Sequence, residues 1–205
     1  MRMRHFLFAL VGAIVVFMWG FTAWAALGIY DFAFPTTTNE VAILDVLGAN
    51  LTEDGAYMLP SMPVGYGTET TDPAKQAEFA SFETRLSNGP VALVMYHKSG
   101  MQPTEPMELA RGFGIEFVSA IMLTCILSTV TGGMGRKAFV GFTIALFSAT
   151  ACYGVMGNFM HLPLPFVMAF WFDAIVAWTL CSVVIAAMQT RYCKNYDAGS
   201  AAANS

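Results

Sequence analysis

Apolar and polar positions along this chain separate into long blocks rather than short alternations. Phe6–Ile29 holds no charged side chain, and Phe113–Val130, Ala138–Gly157 and Phe166–Met188 repeat the pattern with one acid each in the first and last of the three. As helices, all four are long enough to cross ~30 Å of hydrocarbon. The pattern predicts an α-helical integral membrane protein: a four-helix transmembrane bundle with a small α/β extracytoplasmic domain inserted between the first and second spans. The expected division is 1–29 (N-terminus and first span), 30–108 (cap), 109–130 (second span), 131–137 (turn), 138–158 (third span), 159–165 (turn), 166–190 (fourth span) and 191–205 (tail). The first block exceeds the ~7–15-residue apolar core of a signal peptide. An uncleaved anchor is therefore expected, although Ala23-Trp24-Ala25 fits a small-x-small cleavage pattern.

Between the first two blocks the period shortens. Thr37-Thr38-Asn39-Glu40 has the form of a capping box, and Val41, Leu44, Leu47 and Leu51 follow at helical spacing. Asp72-Pro73 reads as a second helix start, because proline at the first helical position loses no needed N–H. Phe79, Phe82 and Leu86 form its apolar stripe, which Asn88-Gly89 ends. Ala56–Pro60 and Val91–His97 read as short strands, with a Pro/Gly/Thr-rich loop at Pro60–Thr71 between them and the second helix. Two short strands and two one-sided helices make a thin core, so the cap is expected to lean on the bundle or a partner.

Composition agrees with the pattern. The chain is 56% hydrophobic and 12% charged, with mean hydropathy +0.57, about half the charge of an ordinary soluble domain. Its net charge of −4 averages over segregated groups. Arg2, Arg4, Arg136, Lys137, Arg191 and Lys194 share one side of a four-span layout. The positive-inside rule predicts that side to be cytoplasmic, with both termini, and residues 30–108 to be periplasmic or extracellular. The expected location is a bacterial inner membrane. No basic cluster suits nucleic acid. The cysteines, Cys125, Cys152, Cys181 and Cys193, fall in or beside spans and form no C-x-x-C, so the cap is not read as a disulfide scaffold. After Asp197 the Ala/Ser/Asn tail is expected to lack order.

Two acids lie within spans, Glu116 and Asp173. Each costs at least ~2.5–3.5 kcal/mol at mid-membrane, so each wants a reason. Rows of small residues run through both: Gly112, Ala120 and Thr124 with Glu116, and Ala169 and Ala177 with Asp173. Gly141, Ala145 and Ala149 form a matching row on the third span. Such rows let helices approach closely, which predicts that both acids point inward. Arg111, Asn158 and His161 stand at the same ends of these spans, and the five could line one polar pocket for a proton, cation or metal. The competing expectation is structural, with Glu116 paired to Arg111 or a donor from the fourth span, and Asp173 bonded to a neighbouring Trp, Ser or Thr.

Met95, His97 and Met101 offer soft ligands suited to Cu(I), although methionine is frequent throughout this chain. Haem is not expected, because no two histidines lie within spans, and the sequence names no other cofactor. The leading functional expectation is a non-enzymatic accessory or scaffolding subunit of a larger inner-membrane assembly, with the lipid bilayer and other proteins or its own copies as partners. A small oligomeric ion- or proton-coupled transporter using Glu116 and Asp173 is the alternative. A copper-handling protein is the third.

Overall fold

The computed structural model describes residues 3–102 and 105–203, with 193–203 as backbone alone. Arg2 and the side chains of Cys193, Lys194 and Asp197 therefore lie outside the described residues. In chain order the elements are α1 (Met3–Phe21), α2 (Glu40–Asn50), β1 (Gly55–Leu59), α3 (Pro73–Asn88), β2 (Ala92–Tyr96), α4 (Pro106–Thr129), α5 (Met134–Ala149), α6 (Val155–Phe159) and α7 (Leu164–Ala203). Single π-helical turns, Thr22–Ala26 and Thr150–Gly154, extend α1 and join α5 to α6. Four helical stretches are long and apolar enough to cross a membrane: Met3–Ala26, Pro106–Thr129, Met134–Phe159 and Leu164–Tyr192. The helix α7 continues to Ala203, where the tail's composition predicts no order; alanine, the strongest helix former, recurs through that stretch.

Residues 1–35 and 104–205 form one compact unit and 36–103 a second. In the first unit α7 is the hub. Its Cys181, Ser182 and Ile185 are buried, with Cys181 and Ile185 against Gly12 of α1 and Ser182 against Gly141 of α5. The helix α4 packs chiefly on α1, and Ala9, Ala13, Val16, Ala120, Leu123, Leu127 and Ala177 fill the space between these helices and α7. Although a short turn joins them, α4 and α5 touch little, and an apolar crevice of about 340 Å³ lies between them. Only 17–33% of each span's most apolar window is buried within the chain, so most of the spans' surface faces outward.

Small residues matter at specific points of this packing. A Cβ at Gly12 would stand 2.9 Å from Cys181 Sγ and 3.0 Å from Ile185 Cδ1, and one at Gly141 would overlap Ser182. Gly141→Ala should therefore destabilise the bundle by about 1–3 kcal/mol, the usual range for overpacking. Gly112, in the row through Glu116, has nothing within 4 Å of its Cβ position. Gly112→Ala should leave the unfolding midpoint unchanged or raise it slightly, so the two variants compared by thermal unfolding in detergent check this map.

In the second unit β1 and β2 pair antiparallel, with Tyr57 opposite Val94. The start of α3 follows the sequence reading: the Asp72 carboxylate accepts from the Ala74 N–H at 2.9 Å, Pro73 opens the helix, and Gly89 ends it at φ +62°. The capping box at α2 does not form. The N-cap is Asn39 without a side-chain bond, and Thr37 Oγ1 instead accepts from the Asn39 N–H at 3.2 Å. The threonine closes a turn before the helix rather than its first turn. Within this unit Phe82 is buried under Tyr66, their rings 4.9 Å apart, while α2 buries no residue.

Candidate functional site

The two acids of the apolar helices lie at comparable distances from their helix starts. At 1.5 Å per residue, Glu116 is about 15 Å from the start of α4 and Asp173 about 13 Å from the start of α7, and these helices start at the same end of the bundle. Pro106 opens α4 well before Arg111, so Arg111 lies within the helix and does not mark its start.

Asp173 is held from two directions. Trp19 Nε1–H on α1 donates to Oδ1 at 2.7 Å, and the Tyr30 hydroxyl donates to Oδ2 at 2.8 Å. Tyr30 reaches it because the chain reverses after the π turn. Gly28, at φ +57°, takes a left-handed conformation that a side chain disfavours. Tyr30 then packs at 5.0 Å on Phe170, and Phe34 at 5.5 Å on Phe166. The segment 30–35, read from sequence as the start of the cap, thus belongs to the bundle. Tryptophan was among the donors expected for Asp173; Tyr30 was not, because nothing in its own neighbourhood advertises the reversal.

Burial, then the hydrogen bond to Asp173, then the charges of Asp173 and Tyr153 hold the Tyr30 phenol above its ordinary pKa of 10.0. In an unfolded chain this phenol loses its proton near pH 10, whereas in the fold it keeps it. The stability it contributes is therefore complete below pH 10 and lost as pH rises from there toward the folded value. Tyr30→Phe should flatten the fall in unfolding midpoint above pH 10 and lower the midpoint at neutral pH.

Glu116 has a different environment. Its Oε2 is buried and has no hydrogen-bond partner among the described residues. The hydroxyls of Thr124 and Thr179 are also buried without partners, but a hydroxyl left so costs much less than a carboxylate. Glu116 opens onto a cavity of about 440 Å³ lined by Phe17, Phe21, Trp24, Tyr30 and Phe170, among others. Both π turns contribute rings to this end: Trp24 lies 4.7 Å from Tyr30, and Tyr153 5.8 Å from Phe170.

Of the remaining residues expected in one pocket, Arg111, Asn158 and His161 are exposed and do not line this cavity. Arg111 forms no ion pair with Glu116 among the described residues. In the small-residue rows, Ala120, Thr124, Gly141, Ala145, Ala149, Ala169 and Ala177 are buried, and Gly112 is partly buried without a close neighbour. In the second unit Met95 and Met101 are exposed, and His97 Nδ1 stands 3.7 Å from Asp54 Oδ2. No group of three His, Cys, Asp or Glu among the described residues is arranged to hold a metal.

A second polar cluster at the opposite end was not anticipated. Lys137, read as the last residue of the 131–137 turn, is buried in the first turn of α5. Its ammonium donates to the Leu127 carbonyl and, at 3.0 Å, to Gln189 Oε1. The Gln189 amide donates at 3.0 Å to both the Thr124 carbonyl and Ser128 Oγ. The tight turn folds α5 back under the end of α4, where helix carbonyls lack partners and a cation is favoured. Gln189 was legible as an amide near the end of the last span, but a search confined to charges passes over it.

Fold and sites together define a four-helix bundle of membrane-crossing length, cross-tied by polar side chains toward each end and carrying one carboxylate whose partner the described chain does not supply. No family model, curated protein or solved structure matches the chain.

Proposed function

We propose that this is a non-enzymatic inner-membrane protein, an accessory subunit that meets its partner through Glu116. Both termini are read as cytoplasmic and residues 30–108 as periplasmic or extracellular, following the basic residues. The observation that carries the reading is the buried Oε2 of Glu116, without a partner among the described residues, on an open cavity. A buried carboxylate without a donor is strongly disfavoured, and a basic or hydrogen-donating side chain on a neighbouring span relieves it. The thin packing within the chain supports the same reading, since most span surface is left for lipid or protein.

A benzophenone amino acid placed at Leu109, on the cavity wall, tests it in native membranes. A cross-link to a second polypeptide, reduced at least fivefold by Glu116→Gln, is expected. A monodisperse, partner-free monomer in mild detergent, with no cross-link, would remove this reading.

The aromatic lining favours a second reading, an oligomeric cation- or proton-coupled carrier with Glu116 as the coupling acid, because ring faces attract cations. Asp173 then positions Trp19 and Tyr30 rather than carrying charge. This reading is abandoned if Glu116→Gln leaves proton release on binding, and flux, unchanged.

A further inference from the structure

The Lys137 cluster borders a second cavity that Glu116 does not share. It measures about 100 Å³ and is lined by Arg4, His5, Phe8, Ser128, Lys137, Gln189 and Tyr192. A guanidinium, an amine and an imidazole thus line one small space, together with the polar groups of Ser128, Gln189 and Tyr192, and none of the lining residues among those described is acidic. The space is formed rather than loose. Phe8 is buried and stands edge-on to Tyr192 at 6.5 Å, and the Arg4 guanidinium stacks over the Tyr192 ring at 4.4 Å. Stacking fixes the plane of the guanidinium beside the cavity. Lys137 is 8% exposed and fixed by Leu127 and Gln189, so its charge is set beside the cavity without freedom to swing into water.

We infer that this cavity binds an anionic phosphate group. A planar guanidinium fork matches phosphate oxygens, and a lysine adds a point charge. Basic pockets between spans at the end of a bundle are where lipid phosphates are held. The volume, about 100 Å³, admits a phosphate group. The same chemistry could come from an anionic phospholipid or from free phosphate, and the experiment separates them.

The full chain is placed in nanodiscs of phosphatidylcholine alone or with phosphatidylglycerol, and its unfolding midpoint is measured with and without inorganic phosphate. Retained lipid is counted by native mass spectrometry. A higher midpoint in phosphatidylglycerol discs, with one such lipid retained and lost at least tenfold in Arg4→Gln, supports a lipid headgroup. A rise produced by inorganic phosphate in phosphatidylcholine discs, abolished by Arg4→Gln, supports free phosphate. Should neither probe stabilise the protein, or should Arg4→Gln and His5→Gln respond to both as the parent does, the site is overturned. Lys137 is left intact throughout, so loss of its helix-tying role cannot imitate loss of a ligand.

Discussion

Replacing Asp173 with alanine is expected to lower the stability of the bundle by about 2–3 kcal/mol. Hydrogen bonds to a charged group contribute about 1.5–3 kcal/mol each in soluble proteins, but bonds between spans average nearer 0.6 and reach about 1.7. Two such bonds end on Asp173, from Trp19 and Tyr30, and the alanine would leave both donors without their acceptor. For a chain of this size the unfolding midpoint should fall by roughly 5–10 °C. Asp173→Asn preserves shape and one acceptor, and should lose about half as much. Because Tyr30 acts through Asp173, the double variant Tyr30→Phe/Asp173→Ala should lose less than the sum of the two singles. Full additivity would show that the two residues do not act together.

The second large effect is expected at Lys137. Changing it to methionine keeps much of its stem but removes the donor from the Leu127 carbonyl and from Gln189 Oε1. Unsatisfied buried acceptors cost about 1–3 kcal/mol each, so the single variant should lose about 2–4 kcal/mol. Gln189→Leu alone leaves the Thr124 carbonyl without the amide N–H and the ammonium without one acceptor, and should also destabilise. In the double variant Lys137→Met/Gln189→Leu, both partners of one bond become apolar together. It should recover part of the loss, as paired apolar replacements often do. Urea or thermal unfolding of the four proteins in one detergent measures the coupling directly. A double variant that loses the full sum would show that the pair is not a unit.

These two anchors show what a sequence discloses in a membrane-type bundle. The spans are legible because lipid demands uninterrupted apolar runs, and Glu116 and Asp173 stand out against that background. The start of α3 is legible because Asp72-Pro73 carries its reason locally. Tyr30 is not, since its role depends on a chain reversal at Gly28 and on a helix far along the sequence. Lys137 looks like an ordinary positive-side residue, and its burial follows only once the turn brings it beneath the last carbonyls of α4. Arg111, Asn158 and His161 stand toward the same end as the acids but are exposed and outside the cavity that Glu116 lines. Depth can be counted along a chain; the face shown to a partner depends on how the helices turn against one another. The π turns at Thr22–Ala26 and Thr150–Gly154 shift that face further, and no local residue pattern announces them.

The account divides the two acids of the apolar helices by what they touch: Asp173 ties the bundle together, while the buried Oε2 of Glu116 has no partner among the described residues. Thermal unfolding of Glu116→Gln beside Asp173→Asn, each as the purified full chain in the same detergent, measures that division most directly. The account predicts that Glu116→Gln unfolds at or above the parent's temperature, because it breaks no hydrogen bond found among the described residues. It predicts that Asp173→Asn unfolds several degrees below. A Glu116→Gln protein destabilised as much as Asp173→Asn would contradict it.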